Sequence, residues 1–155
     1  MSDATRTEAR RPDADEALTD ELLARLLEAT SPEAYLDRAA IDDRDLAGYL
    51  GHLLAKRGMR RSEVIRASGV NPTFCYQIFS GRRHAGRDTA IMLAFGLRCT
   101  LAETQRLLRH AGASELWCKR RRDAVIIFCV EHGMTRQQCD DELYRLREPT
   151  LLGSD

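Results

Sequence analysis

Residues 61–81 read RSEVIRASGVNPTFCYQIFSG, a stretch whose spacing predicts two short helices separated by a tight turn. Ser62 is placed to cap the first helix, with Glu63 in its first turn, where a carboxylate suits the helix dipole. Gly69 is expected to end that helix, because glycine alone takes a left-handed backbone at little cost. Asn71 then caps a second helix, with Pro72 at the first helical position, where its missing N–H costs nothing. The spacing turns Val64, Ile65 and Ser68 inward, plugs the turn with Val70, and turns Cys75, Ile78 and Phe79 inward on the second helix. Asn71, Thr73, Phe74, Tyr76, Gln77 and Ser80 are left facing outward or partly so. A face kept only for solubility carries Glu and Lys. Amides, hydroxyls and aromatics in this arrangement can instead bond base edges and touch thymine methyls in a major groove.

The charge distribution points the same way. The chain of 155 residues is formally neutral, yet its charges are segregated. Residues 1–50 carry 6 basic and 13 acidic side chains, a net of −7. Residues 51–122 carry 15 and 4, a net of +11, and residues 123–155 carry 3 and 7, a net of −4. The positive block contains the paired helices, as expected of a phosphate-binding surface.

Upstream, residues 1–16 are polar and without periodicity, which predicts a disordered tail. Residues 17–41 hold two acidic amphipathic helices, the first marked by Leu18, Leu22, Leu23, Leu26 and Leu27 and open to capping by Thr19. The second is opened by Ser31-Pro32-Glu33. These helices either complete a core, or serve as a dimerisation arm or an acidic cover over the basic surface. Residues 42–112 form the central domain. Asp42, Asp43 or Asp45 starts a helix with an apolar stripe from Leu46 to Leu54 and a stop at Gly58. After the paired helices comes a basic loop, Arg82-Arg83-His84-Ala85-Gly86-Arg87. A wholly apolar helix follows from Asp88, and then an amphipathic one with a Thr100–Glu103 capping box.

Residues 113–148 repeat that last pattern. A shift of 35 residues places Arg87-Asp88 on Arg122-Asp123, Ile91 on Ile126, Thr100 on Thr135 and Leu108 on Leu143. A second helical hairpin is therefore expected to dock behind the first. Its apolar helix (Val125, Ile126, Ile127, Phe128, Val130) must be covered, and the tail after Pro149 is expected to fray.

The S-E-V-I-x-x-S-G-V core, the Y-Q-I-F-S-G-R-R ending and the following R-D-x-x-x-x-L-A-F-G-L resemble the helix-turn-helix of the phage-repressor-like (XRE/Cro-type) family of bacterial DNA-binding regulators. The resemblance covers about residues 46–112. It implies an all-α, repressor-like five-helix DNA-binding domain, here with extra N-terminal helices and a C-terminal hairpin. It also implies double-stranded DNA as partner, a homodimer on paired half-sites, and the helix from Asn71 in the major groove. On that basis Asn71, Thr73, Tyr76 and Gln77 are the base-reading candidates. Arg60, Arg61, Ser62, Ser80, Arg82, Arg83 and Arg87 are the phosphate-holding candidates. The alternative is an interaction module whose outward aromatics, Phe74 and Tyr76, take a regulatory protein.

Other chemistry has little footing. Cys129-x-x-His132 with Cys139 lacks a fourth zinc ligand, and the cysteines sit at helical spacing among apolar residues. An exposed low-pKa thiol at Cys118, or phosphorylation at Ser62, Thr73 or Ser80, would add a switch. No phosphate loop or paired catalytic acids are present, so neither an enzyme nor a cofactor is expected. No run reaches the ~18 apolar residues of a membrane span. With five cysteines, no C-x-x-C pair and no signal-peptide core, a cytoplasmic protein is expected.

Overall fold

The computed structural model of the protein describes residues 19–38 and 44–153. The expected tail over residues 1–16, and Asp42 and Asp43 as helix starts, lie outside the described residues. Nine helices and no strand are present among the described residues, as the apolar spacing requires of an all-α chain. They divide into two units, residues 1–43 and residues 44–155.

The first unit contains α1 (Thr19–Glu28) and α2 (Pro32–Arg38). Ser31 opens α2 by accepting the Ala34 N–H at 3.1 Å. Leu23, Leu26, Leu27 and Leu36 are all exposed.

The second unit runs from α3 (Leu46–Arg57) through α4 (Arg61–Ser68), α5 (Pro72–Phe79), α6 (Arg87–Gly96), α7 (Leu101–His110), α8 (Arg121–Glu131) and α9 (Arg136–Arg145). It shows no division at residue 112 or 113. Asp45 caps α3 by accepting the Gly48 N–H at 2.7 Å, and α3 packs on α5 and α7. At the centre lies α6, with every residue from Ala90 to Gly96 buried, flanked by α4, α7 and α9. Apolar side chains on all sides fit a helix with no solvent face. The α4–α6 contact is tight at Gly96, where a Cβ would lie 2.8 Å from the Val64 carbonyl oxygen and 2.9 Å from the Ser68 Cβ.

The second hairpin, α8–α9, repeats the first, α6–α7, in backbone as well as sequence. Thr100–Glu103 and Thr135–Gln138 are complete capping boxes. The Arg98 and Gly133 backbones both take positive φ, 54° and 64°, as do Gly112 and Arg147 at 69° and 61°. Each of these pairs is separated by the same 35 residues. The copies are then joined by exchanged ion pairs. The Arg87 guanidinium donates to both oxygens of Asp123 at 3.0 and 2.8 Å, and Arg122 donates to both oxygens of Asp88 at 2.9 and 3.1 Å. Arg87 also binds the carbonyls of Ser114 and Glu115, and Arg122 those of Pro149 and Thr150. Two-pronged guanidinium–carboxylate pairs fix orientation as well as distance.

Two expectations about this hairpin are corrected. The segment after Pro149 is docked as far as Leu152: Leu151 is buried, and Asp140 accepts the Leu151 and Leu152 N–H groups at 2.6 and 3.1 Å. A buried carboxylate with two backbone donors holds a tail that composition alone leaves loose. Phe128 is half exposed rather than covered, with its ring stacked on His132 at 3.8 Å. Its counterpart in α6, Leu93, is fully buried. The difference follows from neighbours, because α6 has α4 beside it whereas α8 packs mainly on α9 and α7.

Glu103 joins the capping box to an ion-pair cluster, since Arg57 grips both of its oxygens and Lys56 lies 3.5 Å away. Burial pushes its carboxyl up, but hydrogen bonds from Arg57 and the Thr100 N–H, with the charges of Arg57 and Lys56, outweigh this and hold it at about 2. A depressed carboxyl stabilises the fold above its unfolded-state value and loses that contribution as pH falls toward the folded one.

Glu103→Gln keeps a capping residue of the kind Gln138 supplies in the second copy but removes the ion pair. It is expected to lower stability at neutral pH by ~1–3 kcal/mol and to flatten the loss of stability between about pH 5 and 2 in acid denaturation. Gly96→Ala is expected to cost about 1–3 kcal/mol by overpacking. Gly51→Ala, inside α3 with nothing within 4 Å of the added methyl, should gain about 0.5–1 kcal/mol. Urea melts of these variants check each sign.

Candidate nucleic-acid interface

The turn between α4 and α5 is built as its sequence demands. Gly69 ends α4 at a φ of 77°, a left-handed conformation that a side chain would strain. Buried Ser68 ties the turn on both sides, donating to the Ile65 carbonyl at 3.1 Å and accepting the Val70 N–H at 3.2 Å. Asn71 caps α5 by accepting the Phe74 N–H at 3.1 Å, and Pro72 opens the helix. Cys75, Ile78 and Phe79 are buried, which fixes the rotation of α5. The start of α4 differs from expectation. Arg60 is the residue before the first turn and provides no side-chain cap, so Ser62 lies inside the helix, exposed.

With α5 seated in this way, Asn71, Thr73, Tyr76 and Ser80 are exposed and Gln77 is half buried. The Asn71 carbonyl oxygen is committed to the cap, so its amide N–H groups are what it can offer outward. Phe74 is partly buried and packs against the core, which leaves Tyr76 as the exposed aromatic of the two.

The basic loop is held tightly to the end of α5. The Arg82 and Arg83 N–H groups both donate to the Gln77 carbonyl, at 2.9 and 3.2 Å, and the Ser80 hydroxyl donates to the same oxygen at 3.0 Å. Ala85 is fully buried and anchors the loop from below. Arg82, Arg83 and His84 therefore emerge, exposed, directly after α5. Arg60 and Arg61 are exposed at the start of α4, with the Arg61 guanidinium 5.8 Å above the Phe79 ring. None of Arg60, Arg61, Arg82 and Arg83 forms an ion pair among the described residues.

Arg87 has a different role from that expected of it. Three of its nitrogens are engaged by Asp123, Ser114 and Glu115, so it secures the second hairpin and has little left for a phosphate. Its partner lies 36 residues onward, and the signal available in sequence was the repeated Arg-Asp dipeptide.

Four of the five cysteines serve the packing of the core. Cys129 and Cys139 are both fully buried, and burial raises both thiols above their ordinary value. Burial likewise pushes Cys75 up to about 11 and Cys99 up to about 12, the reverse of a reactive thiol. Cys118 is the exposed one. His132 offers Nδ1 to the Phe128 carbonyl at 2.8 Å. No group of three or more His, Cys, Asp or Glu among the described residues could hold a metal ion. Nor is any helix among them long and apolar enough to cross a membrane.

No family model, curated protein or solved structure matches the chain.

Thermal melts should separate the two kinds of arginine. Arg87→Ala, which strands the buried Asp123 carboxylate, is expected to cost about 3 kcal/mol. Arg83→Ala should stay within about 0.5 kcal/mol of the parent.

Proposed function

We propose that α3–α7 form a repressor-like DNA-binding domain, and that the protein is a sequence-specific double-stranded DNA-binding regulator. In this reading α5 enters the major groove. The observation that carries it is the outer face of α5, polar, open, and bracketed in the chain by arginines that form no ion pair among the described residues. Asn71, Thr73, Tyr76 and Gln77 read base edges. Arg60, Arg61, Arg82 and Arg83, with the Ser62 hydroxyl, hold the sugar-phosphate backbone, whereas the one O–H of Ser80 is already given to the Gln77 carbonyl. The acids of the positive segment support this division of labour. Three of its four acids, Asp88, Glu103 and Glu115, are each held by an arginine outside that group, which leaves exposed Glu63 as the acid nearest in the chain to Arg60 and Arg61.

A single recognition helix covers one half-site, so the protein binds as a homodimer. The exposed leucines of α1 and α2 are an apolar surface suited to pairing two copies. The reading as a protein-interaction module is the weaker one, because Phe74 contributes to the core rather than to an exposed aromatic patch.

Fluorescence anisotropy on a duplex enriched by selection, against scrambled competitors over a salt series, tests the residue roles. Gln77→Ala is expected to narrow the gap between enriched and scrambled duplexes. Arg83→Ala should weaken both alike and reduce the log–log salt slope by about 0.9, the contribution of one neutralised phosphate. Equal preference in the Gln77→Ala variant and its parent would reject the base-reading assignment.

A further inference from the structure

The duplicated hairpins meet α4 around a cleft of about 750 Å³. Its walls are the same helix-to-helix turn taken from each copy. Phe95, Arg98, Cys99 and Thr100 line it from the first copy. Val130, Gly133, Met134 and Thr135, their counterparts 35 residues onward, line it from the second. The third wall is Arg66 and Ala67 of α4. The cleft therefore lies on the seam of the duplication, away from the outer face of α5.

Its charge is lopsided. Arg66, Arg98 and Arg136 line it against one carboxylate, Glu131. Arg66 and Arg98 are exposed and form no ion pair among the described residues. Arg136 bonds Asp140 at 2.6 Å, yet its Nε–H is buried with no acceptor among the described residues, an arrangement that costs stability. Arg98 is the most informative of the three. Its backbone is left-handed, a conformation unfavourable for a residue with a side chain, and the second copy places Gly133 at the same point. Glycine suffices for the turn, so the scaffold has no need of the guanidinium that the first copy carries into the cleft. Both α7 and α9 start at this wall, through Thr100 and Thr135, and their dipoles add to the positive potential.

We propose that this cleft binds a small organic anion, a phosphate or carboxylate group on an apolar body. Arg66 and Arg98 take the acid group by charge-assisted hydrogen bonds. Phe95, Val130 and Met134 receive the apolar part. Because Arg66 and Ala67 belong to α4, a bound ligand touches the helix that precedes the turn into α5. The inference stands independently of DNA binding, and its test uses no DNA.

The test is a titration of the full chain, followed through the ε-methyl resonances of its four methionines, with phenyl phosphate, inorganic phosphate and benzyl alcohol as probes. Phenyl phosphate is expected to shift the Met134 methyl saturably while leaving Met59 in place. Inorganic phosphate should bind the same site more weakly, and benzyl alcohol should not bind. Arg98→Gly should weaken phenyl phosphate by about tenfold or more, as loss of a hydrogen bond to a charged group implies, with thermal stability equal to the parent or higher. Arg66→Ala should weaken it comparably, which provides a second reading on the opposite wall. Absence of a saturable Met134 shift, benzyl alcohol binding as well as phenyl phosphate, or unchanged affinity in both variants would overturn the proposal.

Discussion

The outer face of α5 owes its position to α4 lying directly against α6 at Gly96. There the chain has no room for a methyl group, with the Val64 carbonyl 2.8 Å from where a Cβ would stand. The close approach lets α6 be covered on every side, and an apolar helix so covered sets the positions of its neighbours. α4 is placed by that contact, and the short turn through Gly69, Ser68 and Val70 then fixes where α5 begins. Burial of Cys75, Ile78 and Phe79 fixes its rotation. What remains outside is a consequence of what is held inside.

The duplication plays a second part. Two hairpins of one design are tied by Arg87–Asp123 and Arg122–Asp88, each arginine reaching across to the other copy's aspartate. Carboxylates as buried as Asp123 are costly without partners. The exchange meets that cost for Asp123, and its backbone bond from Trp117 helps further. These bonds also neutralise two cations of the positive segment, Arg87 and Arg122. The net charge of +11 over residues 51–122 therefore overstates the free positive charge.

Much of this was legible because the decisive signals were local. Asp45, Asn71-Pro72, Thr100 with Glu103, and Gly69 act within four residues of themselves, and their roles follow from the chemistry of helix ends. Ser62 misled because the helix starts two residues earlier, on an extended Arg60 that offers no cap. Arg87 misled for another reason, since a charge count treats every arginine alike and its partner comes from a different hairpin. The docking of Leu151 depended on Asp140 turning inward, a long-range satisfaction of a buried carboxylate that no local pattern announces. The outward set on α5 was legible from spacing, except that Phe74 sinks further into the core than an outward position implies. The cleft could not be read from sequence at all, although the 35-residue shift contained the comparison of Arg98 with Gly133 that singles out its arginine.

The central claim is that the polar outer side of α5 reads duplex DNA. Selection of bound fragments from genomic DNA by the purified chain, at a low and a moderate salt concentration, tests it most directly. The account predicts one shared sequence recovered at both, lost when Asn71, Thr73, Tyr76 and Gln77 are all replaced by alanine in a chain that still folds. Recovery of no fragment even at low salt, or of the same sequence by that fourfold variant, would contradict it.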